Sequence, residues 1–346
     1  MNAAQQPAVS NADKANLRDA MAQLSVLPLW EIYEKVVTHE PSMAVPSHIW
    51  KWRDMSGAIE IASRAVTGHD ADHRVFVLKN PAVTTRVTTS NNILGAVQCV
   101  LPGEKTTPHR HTPAACRIVL ESRGAQTFVD GVACPMYDGD FVVTPNWTWH
   151  CHGNPTDARA VWVDLLDVPF VLTMNAMFGE IGLTGTYPDT LATALPAEVF
   201  TSGGLMPVTD FAPVPYTPRL RYAWGDVLRM LAATEPAGDG SRTIRYTNPL
   251  DGGPVIPTMD ATALEIRGEK TTQPVRNSAS GICVVVEGAG ETRVGDKIHQ
   301  WEARDIFTIP EWNWVSHTAS TPTARLMFLS DREIRRKLGL FREERG

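Results

Sequence analysis

Residues 103–111 read Gly103-Glu104-Lys105-Thr106-Thr107-Pro108-His109-Arg110-His111, and the first five letters return unchanged as Gly268-Glu269-Lys270-Thr271-Thr272. Outward from this stretch the match continues in order. Leu120-Glu121 and Gly124 correspond to Val286-Glu287 and Gly290. Asp140-Phe141 faces Asp305-Ile306, and Pro145-Asn146-Trp147-Thr148-Trp149 faces Pro310-Glu311-Trp312-Asn313-Trp314. A repeat kept over such a span means two modules of one plan in a single chain. Around the first copy, β-like runs at 75–78, 94–101, 117–120, 126–129, 141–144 and 160–166 are separated by Gly, Pro, Asn and Asp. Short strands with frequent turn signals predict an all-β sandwich or barrel.

The flanks complete the layout. Residues 1–74 predict a helical or extended segment, with Pro28 interrupting apolar helical spacing over 16–37. The first module spans 75–206. Residues 207–258 form a linker that carries four prolines near its start and a helix at about 222–233. The second module spans 259–330, and 331–346 predicts a charged helical tail. Of 346 residues, 32 are Lys or Arg and 38 Asp or Glu, a net charge of −6. That balance, with no basic stripe, argues against a nucleic-acid partner. Apolar runs such as 282–286 are too short for a bilayer, so no membrane partner is expected. Residues 1–14 lack the apolar core of a signal peptide. The five cysteines form no CxxC pair, which predicts reduced thiols and a cytoplasmic setting.

Chemistry concentrates in the first module. On a strand, residues two apart share a face, so His109 and His111 point together, as do His150 and His152, while Cys151 points away. Three imidazoles from two strands of a small barrel make a facial metal site with open positions opposite. Imidazole suits Fe, Zn, Cu or Ni. The isolated histidines His39, His48, His69, His73, His299 and His317 read as surface or hydrogen-bonded residues. Cys116 and Cys151 read as small buried fillers.

These spacings resemble the cupin signature, a glycine, five residues and HxH, followed by G-x5-P-x-G-x2-H-x3-N. Gly103 opens the first motif, and Gly139, Pro145, His150 and Asn154 match the second, with Trp147 where glycine is usual. The usual glutamate ligand after HxH is missing from Thr112-Pro113-Ala114-Ala115-Cys116, and Glu121 lies too far along. The expected ligands are therefore His109, His111 and His150. In the second module, Pro274 or Val275 and Arg276 or Asn277 fall opposite the first two histidines, depending on a one-residue gap. Val315 falls opposite His150, and only His317 remains, opposite His152. One metal per chain is expected.

The wider chain resembles the gentisate 1,2-dioxygenase family, which includes salicylate and 1-hydroxy-2-naphthoate dioxygenases. The likeness rests on Leu29-Trp30-Glu31, His109-Arg110-His111-Thr112, Thr144-Pro145 through Asn154, Asp164 to Pro169, Tyr246-Thr247-Asn248-Pro249 and Leu338 to Glu344. It implies a bicupin (two cupin β-barrel modules), mononuclear Fe(II), a homotetramer, and O2-dependent opening of a 2-hydroxybenzoate ring between the carboxyl- and hydroxyl-bearing carbons. Gentisate is the first expected substrate, with substituted salicylates and 1-hydroxy-2-naphthoate as alternatives. By the same resemblance Gln98 and Arg117 bind substrate, Arg117 through the carboxylate. His152 acts beside the metal, Asp164 follows the metal strand, and Arg74 is a further carboxylate contact. The chain departs from the family at Pro113-Ala114-Ala115-Cys116 and at Cys151, which bears on ring-substituent preference.

Charge supports that reading. Three neutral imidazoles leave Fe(II) its full +2 charge, which a carboxylate–phenolate substrate would cancel. Arg117 would hold the carboxylate by charge-assisted hydrogen bonds, and His152 could serve proton transfer. Two rival classes use the same barrel: a zinc-type isomerase or decarboxylase needing no O2, and a non-catalytic bicupin.

Overall fold

The computed structural model describes residues 11–41, 45–67, 72, 74–182 and 216–346. His69, His73 and most of the Pro-rich stretch 207–218 lie outside them. The chain divides into a unit of residues 1–42 and a unit of 43–346. In the first, helices Asn11–Gln23 and Leu29–Val36 contain no buried residue, and Pro28 stands at the N-cap of the second. The break falls there because proline is tolerated at a helix start and not inside one.

The second unit holds both β modules, and their sheets repeat one another strand for strand. In the first module, a six-stranded sheet runs in the order Arg221–Tyr222, Phe141–Thr144, Ala115–Glu121, Ala160–Leu166, Leu94–Val100, Val75–Val77. It faces a five-stranded sheet ordered Gly179–Ile181, His109–His111, His150–Gly153, Arg123–Val129, Val132–Tyr137. The second module orders its six strands Ile49–Trp50, Ile306–Ile309, Gly281–Glu287, Thr323–Ser330, Asp260–Arg267, Arg242–Arg245. Its five are Lys297–Glu302, Ala289–Val294, Val315–Ala319, Val275–Asn277, Glu343–Arg345. The expected bicupin is the observed fold.

Strand alternation sorts the side chains. Val97, Cys99, Cys116, Ile118, Val161 and Val163 join Ile282, Val284, Met327 and Leu329 in one core shared by the two six-stranded sheets. The alternate residues Val100, Val119, Val142 and Trp162 fill the inside of the first barrel, and Cys283, Phe307 and Leu326 fill the second.

The boundaries differ from the sequence reading at three places, and each difference is a long-range pairing. Strand Ile49–Trp50, from the N-terminal segment, closes the edge of the second barrel by pairing with Phe307 and Ile306. Strand Arg221–Tyr222, from the linker, closes the first barrel against Val142 and Phe141. Each is followed by a helix, Trp52–Ala65 or Trp224–Ala233, whose Ile59, Val227 and Leu231 enter the shared core. The modules have thus exchanged their leading strand–helix units. The tail is helical only over Arg332–Lys337, and Glu343–Arg345 then pairs with Val275–Asn277. Its charges suit a strand as well as a helix, and local propensity alone does not decide between them.

One buried aspartate in each barrel holds the exchanged unit. Asp305 accepts the Trp52 N–H (2.7 Å), the Glu302 N–H (3.0 Å) and the Lys51 ammonium. Asp140 accepts the Trp224 N–H (2.9 Å), the Tyr137 N–H (3.0 Å) and Arg221 Nε (2.8 Å). Before it, Gly139 has φ +81°, and an added Cβ would lie 2.6 Å from the Trp224 ring. Either Asp140→Ala or Asp305→Ala leaves buried donors unpaired and is expected to cost about 2–4 kcal/mol. Urea-unfolding midpoints check this, and midpoints within experimental error of wild type would refute the clamp.

Candidate metal centre

The two ligand strands meet at one pair. His109 stands directly across from His150 in the antiparallel ladder, and His111 follows two residues on along the same face. The three rings lie 4.3 Å (His109–His150), 4.8 Å (His111–His150) and 5.7 Å (His109–His111) apart between centroids. One nitrogen from each lies within 4.8 Å of the others, and among the described residues no Asp or Glu joins the cluster. Every ring is tethered through Nδ1 to a backbone carbonyl two residues away. His109 bonds Thr107 O (2.9 Å), His111 Pro113 O (2.8 Å) and His150 Thr148 O (2.9 Å). A carbonyl can only accept, so each Nδ1 carries the proton and each Nε2 keeps a lone pair for a metal.

Electrostatics agree. Burial holds His111 down at about 4, aided by His109 and Arg117, against the bond to Pro113. Burial likewise holds His150 well below the usual imidazole range, with His109, Arg117 and His111 adding to it. Ligation needs neutral imidazole, so the donors are ready near neutral pH. An all-nitrogen set of three neutral donors fits a borderline divalent transition metal. Glu121 is not a ligand: its carboxylate is held by Arg159 (2.9 Å) and Arg304 (2.9 Å).

Beneath the histidines lies a buried polar layer. Arg117 is 3% exposed, and its Nε stands 2.8 Å from Asp164 Oδ1, at an angle short of a hydrogen bond. Its Nη1 donates to the Thr144 hydroxyl, and Nη2 lies 3.4 Å from His152 Nε2. Asp164 Oδ2 accepts the Trp162 indole N–H (2.9 Å). Burial pushes the Asp164 carboxyl up while Arg117 and Trp162 pull it back. His152 is driven well below the usual imidazole range by burial and then by Arg117. Gln98 is buried on the inward face opposite Trp162, and no side chain among the described residues partners its amide.

Arg74 stands apart from this layer. Both terminal nitrogens are spent on Glu104 (2.7 and 2.9 Å), with Val66 O at 2.6 Å. Its guanidinium therefore neutralises Glu104 rather than facing the cluster, which corrects the expectation of a second carboxylate contact. Trp147 and Trp149 pack on the face away from the cluster. They clamp Arg110, whose guanidinium lies 4.4 and 4.9 Å from the ring centres and pairs with Glu180 (2.7 Å). Arg276 repeats this with Trp312, Trp314 and Glu344. Trp147 (φ 61°) and Trp312 (φ 57°) both adopt the left-handed backbone that explains why glycine is usual there. None of the five cysteines forms a disulfide, and all are buried.

Sequence reasoning missed Thr127 and Thr144, whose hydroxyls bond His152 and Arg117. The internal repeat offered one signal, since Thr127 recurs as Thr292. Register also resolves the one-residue gap. Val275 pairs with Val315 as His109 pairs with His150, so Val275 and Asn277 replace the two histidines. By the same pairing Arg117 becomes Cys283 and Asp164 becomes Phe328.

A double barrel with, among the described residues, one three-histidine cluster near a buried arginine–aspartate pair is the architecture of a bicupin whose first barrel alone has a candidate metal centre. A cupin-domain family model matches residues 96–167. Over all of both chains the protein is 34% identical to gentisate 1,2-dioxygenase 1 of Aquipseudomonas alcaligenes. It is 31% identical to 5-aminosalicylate 1,2-dioxygenase of a Comamonas species, covering 95% of this chain and 89% of that one. The salicylate 1,2-dioxygenase of Pseudoaminobacter salicylatoxidans, solved as an adduct with gentisate, superposes with a TM-score of 0.88 at 28% identity. That superposition covers 99% of this chain and 96% of that one. The chain belongs to the gentisate 1,2-dioxygenase family, an enzyme family of ring-cleaving dioxygenases.

His109→Ala, His111→Ala and His150→Ala should each lower bound metal to well below one per chain, while His317→Ala leaves it unchanged. Elemental analysis after anaerobic loading decides, and full occupancy in any of the first three would count against the site. Acid acts on the fold as well. His111 and His317 are both held at about 4, below the unfolded value near 6.5. Between those values the unfolded chain binds more protons, so stability is full above pH 6.5 and falls towards pH 4. Melting temperatures of the metal-free protein across that window should drop, and a flat profile would contradict the neutral burial.

Proposed function

We propose that this enzyme binds one Fe(II) per chain at His109, His111 and His150 and opens the ring of gentisate between its carboxyl- and hydroxyl-bearing carbons. The observation that carries the proposal is the donor set: three neutral Nε2 atoms, no carboxylate in the cluster, and a buried guanidinium directly beneath. Iron supplies O2 activation there and a charge left for a dianionic substrate to cancel. Arg117 binds the substrate carboxylate. Asp164, itself held by Trp162, and Thr144 fix the guanidinium so that little side-chain entropy is lost on binding. Gln98 orients the substrate through its free amide without adding charge. His152 offers its Nε2 to the substrate hydroxyl. The apolar walls around Val100, Val119 and Trp162 exclude water, which strengthens each of these contacts.

A second substrate, 5-aminosalicylate, is favoured by the Comamonas relative. Both molecules carry an electron-donating group para to the hydroxyl, which eases ring oxidation. The small side chains of Ala96 and Ala115, on the same strand faces as Gln98 and Arg117, suit such variation, whereas Ala114 packs in the shared core. The buried thiols, none of them in a disulfide, support a cytoplasmic setting. The exposed Leu27 and Trp30 support burial in a homotetramer, which light scattering would measure.

The iron-loaded protein should consume one O2 per gentisate and yield a ring-opened product, followed with an oxygen electrode and absorbance spectra across gentisate, salicylate and amino-, halo- and nitro-salicylates. Turnover without oxygen uptake would establish the isomerase or decarboxylase class instead. Negligible iron binding would establish a non-catalytic bicupin. Arg117→Ala should raise KM for carboxylated substrates by about 10- to 100-fold, and an unchanged KM removes Arg117 as the anchor.

A further inference from the structure

The two barrels contain the same buried pair, a threonine hydroxyl on a histidine Nδ1. It is Thr127–His152 at 3.0 Å in the first and Thr292–His317 at 2.8 Å in the second. What stands behind the threonine differs. In the first barrel Thr127 Oγ1 lies 3.3 Å from Met136 Sδ, which can only accept. In the second, the indole N–H of Trp301 donates to Thr292 Oγ1 at 2.8 Å. Strand register puts Met136 and Trp301 in equivalent places, each two residues beyond the partner of its threonine, Cys134 or His299.

Hydrogen-bond direction then propagates to the imidazoles. Arg117 is a permanent donor, and its Nη2 faces His152 Nε2 at 3.4 Å, so that nitrogen must be bare. The proton sits on Nδ1, the Thr127 oxygen accepts it, and the Thr127 hydroxyl points its own proton at Met136. In the second barrel Trp301 takes one lone pair of the Thr292 hydroxyl, which still has its own proton to place. That proton has no other acceptor among the described residues than His317 Nδ1, so His317 carries its proton on Nε2. No arginine faces that nitrogen, because Cys283 stands where Arg117 does. The Phe328 ring, 5.2 Å away, lies beside it instead.

We infer that Thr127 and Met136 are positioning residues that lock His152 in the Nδ1–H form, with Nε2 unprotonated and facing the Arg117 guanidinium, the opposite of the tautomer built into His317. Thr127 touches neither metal nor substrate and acts through the imidazole. The inference deepens the reading of His152 as a substrate contact and rests on it for its effect on turnover, while the proton positions stand independently of any activity.

Neutron diffraction from deuterium-exchanged crystals of the anaerobic iron-loaded enzyme reads those positions directly. Deuterium on Nδ1 of His152 and on Nε2 of His317 is the expected result, and deuterium on Nε2 of His152 overturns the inference. In solution, Thr127→Val should lower kcat for gentisate about 10- to 100-fold, with KM and iron content within about threefold of wild type. Thr127→Ser, which restores the hydroxyl, should recover most of that loss. Thr292→Val makes the same deletion in the other barrel and should leave kcat unchanged, so a purely structural role would move both valine variants alike and overturn the assignment. If wild type itself consumes no O2 with any substrate in the panel, the functional reading fails, while the neutron map still decides the tautomer.

Discussion

The direct cross-strand pairing of His109 with His150 is the constraint on which the rest of the centre depends. Side chains alternate faces along a strand, so a slip of one residue would send every ligand outward. The register is held from both sides. Arg110, between the ligands, points away and is clamped by Trp147 and Trp149, and the strand carrying Glu180 pairs along the outer edge of His109–His111. With the backbone held, the carbonyls of Thr107, Pro113 and Thr148 set each ring's tautomer.

The second barrel shows what the first would be without a function to serve. It keeps the strand order, the tryptophan–arginine clamp and the threonine–histidine pair, yet presents Cys283 and Phe328 where the first holds Arg117 and Asp164. Its interior is packed with Cys283, Trp301, Phe307 and Leu326. The fold therefore tolerates an apolar filling at these positions. A buried ion pair is a weak source of stability compared with such packing, so stability alone does not account for Arg117 and Asp164.

Exchange of the leading strands ties the two halves together. The first barrel is closed by a strand from the linker and the second by one from the N-terminal segment, and both following helices enter the shared core. The second barrel is thus part of the scaffold that keeps the two histidine-bearing strands of the first in register. Its Val275 and Val315 pair across the same ladder position that His109 and His150 hold in the first.

The amino-acid sequence by itself determined the two-module plan, the three clustered histidines and the inward set Gln98, Arg117, His152 and Asp164. Strand periodicity and motif spacing are local properties, and the repeat displays them twice. Tertiary structure alone decided which edges the strands at 49–50 and 221–222 close, that Glu104 takes the charge of Arg74, and that Val275 rather than Pro274 replaces His109. It also decided what Thr127 and Met136 do to His152. Those outcomes depend on partners tens to hundreds of residues away and on the direction of individual hydrogen bonds. Neither quantity is carried by the pattern of a single strand.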